Sequence, residues 1–364
     1  MTDVTLQLSS RDRVERCLGG EEVDRPAWTL YRHFYEDEHS AAGLARNMLE
    51  WQRRWGFDIV KVQSRSSFLG EGWGARWEPA GDPPRPTRIR FPVEAIADWD
   101  SIRKLDASSG AFGEQLEAVR LIRRGLADDT PLLPTVFLPF SMAGRLLAES
   151  PEAMASHLRL DPVRIERALE AVTATQIDYV RSIGDVGADG VFFATTPFMA
   201  SRDVFTEEEY AQFGRPYDLA VIEAANQLDL NVLHLCGTNV MLDQFREYPV
   251  RAFSWESTDP RNASIAEGIQ LLNKAVIGGV THRLAGYFRA DEGLPHLRPT
   301  IGVRAAGERP TIATGSPEEV VAEARDAVRQ SGGRRWILGA GCNIPAETPE
   351  ANIEALRRAL PSLV

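Results

Sequence analysis

Cysteine is scarce in this chain: Cys17, Cys236 and Cys342 are the only three in 364 residues. An odd and scattered set does not make a disulfide framework, so the three are expected as thiols in a fold held by packing. No apolar run approaches the length that spans a bilayer, and the opening Met1-Thr2-Asp3-Val4 lacks a basic region followed by an apolar stretch. A soluble, cytoplasmic protein with no membrane partner is expected. A basic stripe is also missing, and a net charge of -11 with a pI near 5.2 argues against nucleic acid as a partner. Arginine far outnumbers lysine, but the pairs Arg123-Arg124, Arg334-Arg335 and Arg357-Arg358 read as solvated charges at helix ends and turns. Finally, no glycine-rich phosphate turn follows the first apolar run, which removes the usual opening of a dinucleotide-binding sheet.

What is present is enough for a large core, because 43% of the residues are hydrophobic and 26% charged, close to globular averages. Short apolar runs suited to buried strands occur at 27–31, 57–62, 132–137, 191–194, 231–235, 252–255, 275–280 and 336–340. Between them lie stretches of helical spacing, many stopped by glycine, at 41–55, 113–126, 143–183 with a break near Asp161-Pro162, 207–227, 240–245, 265–272, 317–331 and 349–360. Another helix is expected ahead of the first strand, ending at Gly19-Gly20. Eight strand–helix units with no long alternating pattern predict an α/β fold, a (β/α)8 TIM barrel spanning 1–364 as one domain. Two insertions interrupt the rhythm. The stretch 64–92, after strand two, is punctuated by Gly70, Gly72, Gly74, Gly81 and Pro83-Pro84, which predicts a hairpin or irregular excursion near the mouth. The stretch 284–314, after strand seven, follows Arg283 and carries Arg289, Arg298, Arg304 and Arg309. It reads either as a cover for an anionic substrate or as a solvated loop.

In such a barrel the chemistry sits at the carboxyl ends of the strands. His234 and Cys236 end strand five and Cys342 lies just past strand eight, across the mouth. A His-x-Cys pair alone is more often an ordinary polar loop or a half-buried pair than a metal site, but a second cysteine at the same mouth suits zinc, which takes tetrahedral nitrogen and sulfur ligands and keeps a fourth position open when catalytic. Glu256, after strand six, is a candidate for that fourth position. Cys17, on the apolar face of the first helix, reads as a small core residue.

Several strings carry a resemblance. The opening Arg11-Asp12-Arg13-Val14-Glu15-Arg16 with Gly20-Glu21-Glu22-Val23-Asp24-Arg25-Pro26, the string His234-Leu235-Cys236-Gly237, the strand Ile277-Gly278-Gly279-Val280, and Gly341-Cys342-Asn343-Ile344-Pro345 followed by Thr348-Pro349-Glu350-Ala351-Asn352-Ile353 resemble the uroporphyrinogen-decarboxylase-like superfamily along nearly the whole chain. That superfamily contains the decarboxylases and cobalamin-dependent methyltransferases that carry a methyl group from a corrinoid protein to a thiol such as coenzyme M. Decarboxylases resemble one another in an early Met-Arg-Gln-Ala-Gly-Arg-Tyr string and an aspartate ending the second strand. This chain has Tyr31-Arg32-His33-Phe34-Tyr35 and Gln63-Ser64-Arg65 there. Arg32 stands in for one carboxylate-binding arginine, and Gln63 and Arg65 are candidates for cofactor or substrate contacts. The methyltransferase branch is similar in its zinc ligands, which match His234, Cys236, Cys342 and the accessory Glu256.

The resemblance implies a zinc-dependent methyltransferase with Glu256 and Arg32 at the reacting centre. Its corrinoid would arrive on a partner protein, since nothing in the chain matches the Asp-x-His-x-x-Gly cobalamin-binding pattern. The alternatives are a carboxy-lyase acting on an acidic tetrapyrrole, with Arg32 and Arg65 as clamps, and a non-catalytic corrinoid- or tetrapyrrole-binding barrel. Homodimer formation stays open at this point.

Overall fold

The computed structural model describes residues 7–65, 67–81, 84–147, 151–282 and 310–364. Its strands are β1 (Val60–Val62), β2 (Arg76–Ala80), β3 (Arg85–Arg90), β4 (Leu132–Phe137), β5 (Phe192–Ala194), β6 (Val232–Leu235), β7 (Ala252–Trp255), β8 (Ala275–Val280) and β9 (Trp336–Ala340). Seven of these, β1 and β4 to β9, follow one another in chain order in a single curled parallel sheet wrapped by helices. This is a TIM-barrel-like α/β fold. Its parallel strands are buried on both faces, which is why they read as continuous apolar runs rather than alternating ones.

The expected first strand, 27–31, is reduced to one bridge between Trp28 and Leu338. Pro26 brings no N–H, the Trp28 N–H goes to the Asp58 carboxylate at 3.1 Å, and the Thr29 hydroxyl rather than the backbone donates to Ile59 O at 2.9 Å. Even so the segment fills the gap between β9 and β1: Leu338 N donates to Ala27 O, Thr29 N to Leu338 O, and Asp58 N to Trp28 O.

Some helices also differ from expectation. The run 207–227 breaks into Glu207–Phe213 and Arg215–Glu223, because Pro216 has no N–H to continue the ladder and is tolerated only in a first turn. The region 143–183 resolves into Pro139–Leu146, Pro151–Leu160 and Pro162–Asp185, the last capped by the Asp161 side chain. The expected helix at 240–245 is a 3-10 turn, Leu242–Phe245. The excursion after β1 holds a short helix, Phe68–Glu71, and the β2–β3 hairpin. This hairpin walls a groove of about 660 Å³ lined in part by Tyr35, His39, Trp77, Pro86 and Ile89. Of the second insertion, 283–309 with its five arginines lies outside the described residues, and one helical turn, Thr311–Thr314, leads back to the barrel.

The barrel interior packs Ile59, Leu133, Phe192, Val232, Ala252, Ala275, Ile277 and Ile337 against Val14, Cys17 and Leu18 of the first helix, Ser10–Gly19. Cys17 is thus a core thiol, its pKa pushed up to about 11 by burial. The first helix is pinned by Asp58, whose fully buried carboxylate accepts from Arg13 Nη1 at 2.6 Å and Arg25 Nη1 at 2.6 Å, while Arg13 also grips Asp24. The Arg-rich opening string is therefore structural, closing the end of the barrel opposite the strands' carboxyl ends.

Candidate metal and thiol site

At the other end of the barrel three side chains converge. The candidate ligand atoms of His234, Cys236 and Cys342 all lie within 4.8 Å of one another. His234 sits near the end of β6, in register with Ala194 and Ser254. Its Nδ1 contacts Ser254 Oγ at 3.3 Å, and its ring stacks on Phe192 with centroids 5.9 Å apart. With Nδ1 so engaged, the buried Nε2 has no hydrogen-bond partner among the described residues. An orphaned buried imidazole nitrogen beside two sulfurs is a donor set that could hold a metal ion, and the hydroxyl behind the ring fixes its orientation.

Backbone geometry aims the two cysteines. Cys236 N donates to Thr195 Oγ1 at 2.9 Å, and the next residue, Gly237, has φ +116°, where a Cβ would come within 2.9 Å of Phe198 N. Only glycine turns the chain there, which accounts for the order His-Leu-Cys-Gly. Cys342 follows β9, its thiol donating to Asn343 Oδ1 at 3.2 Å. Before it, Gly341 leaves no room for a side chain: a Cβ would stand 2.7 Å from Glu256 Oε1.

Glu256 is buried just past β7, beside this trio, with Oε1 accepting from Thr258 Oγ1 at 2.5 Å and Oε2 in contact with His282 Nδ1. Burial disfavours a charged His282, but the Glu256 carboxylate and Cys342 outweigh it and raise its pKa above the ordinary imidazole value. The other proposed site residues are held differently. Gln63 lies over the floor of the site, hydrogen-bonded to Lys61 and to His33 Nε2 at 2.9 Å. Arg65 is buried and tied by Glu114 at 3.1 Å, by Glu71 and by Ser67. Arg32 reaches Ala346 O at 2.6 Å and lies over the rings of Phe34 and Trp51.

Three residues of the mouth escaped sequence reasoning. Tyr31 is buried with a hydroxyl lacking a partner among the described residues, and burial together with Cys342, Cys236 and Glu256 pushes its pKa well above the phenol range. Lys61 is buried below the thiols, with Nζ 4.1 Å from the centre of the Tyr31 ring and 5.1 Å from that of Phe192. Burial brings its pKa down to about 7 against the opposing pull of Cys342 and Cys236. His282 is the third. Signals existed: Lys61 is the only charge inside the strand run 59–62, and His282 stands two residues past β8, where Glu256 stands one past β7.

The profile described as uroporphyrinogen decarboxylase (URO-D) matches residues 9–285 and 308–362. The chain belongs to the URO-D family. Among its relatives is the methylcobamide:CoM methyltransferase MtbA of Methanosarcina mazei, 23% identical, with 96% of this chain and 97% of that protein covered. A uroporphyrinogen decarboxylase of Ruegeria pomeroyi is 25% identical but covers 50% of this chain and 59% of its own length. A solved methyltransferase from Methanosarcina mazei superposes with a TM-score of 0.77 at 20% identity, covering 98% of this URO-D family chain and 99% of its own. Among the described residues no helix is long and apolar enough to cross a membrane.

Proposed function

We propose that this URO-D family chain is a methyltransferase that moves a methyl group from a methyl-corrinoid, carried on a partner protein, to a thiol, with zinc held by His234, Cys236 and Cys342. The observation that carries the reading is the orphaned, buried His234 Nε2 grouped with two cysteine sulfurs at the carboxyl ends of the strands. The methyltransferase class is supported by full-length relatives such as MtbA, named as a methylcobamide:CoM methyltransferase. The donor set fits zinc: one neutral nitrogen and two thiolates match its charge and softness, and three protein ligands leave a position for substrate.

Zinc bound there would supply a Lewis acid that keeps a thiol deprotonated at neutral pH, where a free thiol with pKa near 8.5 is mostly protonated. The thiol sulfur attacks the methyl carbon; the S–C bond forms as the C–Co bond breaks, with that bond's electron pair left on cobalt. Ser254 and Phe192 orient His234, and Thr195 and Gly237 set Cys236. Glu256, held by Thr258 and His282 beside the trio, would be the carboxylate to hold a bound zinc's fourth position in the absence of a thiol. Arg32 and Arg65, the clamps that a tetrapyrrole carboxy-lyase would need, are engaged by Ala346 and by Glu71 and Glu114, which favours methyl transfer over decarboxylation.

The test is anaerobic demethylation of methylcobalamin, standing in for the corrinoid protein, by the zinc-loaded chain with coenzyme M as acceptor. The expected result is thiol-dependent loss of the methyl-cobalt spectrum, abolished in Cys342→Ala. Formation of coproporphyrinogen from uroporphyrinogen at metabolic rates, without methyl transfer, would overturn the reading.

A further inference from the structure

The chain has 41 basic residues, of which only three are lysines. Lys104 is half exposed and paired with Asp178 at 2.6 Å, and Lys274 is only partly buried. Elsewhere, even in buried positions such as Arg13 and Arg65, the chain uses guanidinium. At the floor of the thiol site it uses an amine. We propose that Lys61 is a positioning cation of this site, balancing the negative charge that builds up when a substrate thiolate joins Cys236 and Cys342 around a dication. This rests on the methyl-transfer reading above.

Four observations lead there. First, Ile59, Lys61 and Gln63 alternate with Val60 and Val62 along β1, so the lysine points into the barrel, on the side of the interior cluster that contains Ile59. Second, Lys61 forms no ion pair with a carboxylate among the described residues; its ammonium has the Gln63 carbonyl oxygen and the faces of Tyr31 and Phe192. A buried ammonium without a counter-ion is costly, and the acidic groups that act on it are Cys342 and Cys236. Third, its place is fixed from behind, since Gln63 Nε2 is 2.9 Å from His33 Nε2 and His33 Nδ1 is 3.0 Å from the buried Glu38 carboxylate. Fourth, Phe192 touches both sides of the problem, lying under the ammonium at 5.1 Å and stacked on His234 at 5.9 Å.

The charge count then closes. A dication with two cysteine thiolates and a neutral imidazole is neutral; once Glu256 yields its place it is left against His282, and the third thiolate leaves one negative charge that one ammonium cancels. The compact ammonium fits between two aromatic faces, where a planar guanidinium would need more room. The consequence is selectivity by charge: Lys61 favours an anionic ligand at the open position and is indifferent to a neutral one.

The experiment compares wild type with Lys61→Met and Lys61→Gln, each loaded with zinc, in calorimetric titrations with coenzyme M and, separately, with imidazole as a neutral metal ligand. Both variants are expected to keep one zinc per chain, bind imidazole like wild type and bind coenzyme M about tenfold more weakly, with KM for the thiol rising more than kcat falls. The retained imidazole binding reports that the site is folded. Variants that bind coenzyme M as tightly as wild type, or lose both ligands in parallel, overturn the role of Lys61 while leaving the thiol site standing. Wild-type protein that binds zinc and imidazole but not coenzyme M overturns the underlying methyl-transfer reading, and this inference with it.

Discussion

Replacing Gly341 by alanine tests how tightly the mouth is built. The added Cβ would lie 2.7 Å from Glu256 Cδ and Oε1 and 2.8 Å from Glu256 Cα. Ordinary carbon contacts begin near ~3.5 Å, so roughly 0.7 Å of movement is required. A flexible side-chain tip would give way cheaply, but a Cα cannot. The Glu256 carbonyl is fixed by Asn262 Nδ2 at 3.0 Å and by Asp259 N at 3.3 Å, while Gly341 N is bound to Val280 O at 3.1 Å. Strain of this kind costs about 1–3 kcal/mol, which in a chain of this size lowers Tm by roughly 2–6 °C. It also pushes the Glu256 carboxylate off His282 and Thr258 next to Cys342. Differential scanning fluorimetry and coenzyme M titration of zinc-loaded Gly341→Ala are the assays, with lowered Tm, retained zinc and altered thiol affinity expected. A variant matching wild type in both Tm and thiol affinity would refute the argument that Gly341 exists to admit Glu256.

Asp58→Ala strips Arg13 and Arg25 of their shared buried counter-ion and should destabilise the chain by about 3–5 kcal/mol in denaturant titration without moving thiol affinity; a loss below about 1 kcal/mol would contradict the pinning role. Asp218 is buried between Tyr210 and Tyr248, and burial raises its pKa to about 7 despite both hydroxyls donating to it. The folded state therefore holds a proton that the unfolded state releases near pH 4, so the contribution of Asp218 to stability is greatest below pH 4 and declines as pH rises toward 7, by on the order of 1–4 kcal/mol. Asp218→Asn should flatten that slope in thermal melts, and an unchanged slope would show that Asp218 is not its source. Glu256→Gln should keep zinc, since three ligands remain, but change thiol affinity; loss of the metal would make Glu256 an obligatory ligand.

Much of this architecture is legible because a parallel barrel buries both faces of each strand. Each strand is then a short apolar run bounded by turns, and the residue just past it is a candidate for the mouth. That logic finds His234, Cys236, Glu256 and Cys342 without any contact information. It fails where side chains replace backbone: the segment around Trp28 closes the barrel with one bridge because Asp58 and Thr29 do the pairing. It also fails at Lys61, because a strand run recognised by its apolar residues gives no role to the one charge inside it until the barrel sets aromatic rings around that charge. His282 was hidden by position, since it stands immediately before the insertion, whereas Glu256 is followed by ordinary barrel sequence.

The central claim is that His234, Cys236 and Cys342 form one metal centre, and the most direct measurement is the metal content of protein produced in zinc-replete medium, by mass spectrometry alongside Cys342→Ala. The account predicts one zinc per chain in the wild type and loss of most of it in the variant, with the fold retained. Wild-type protein without zinc, or a variant that keeps its full complement, would contradict it.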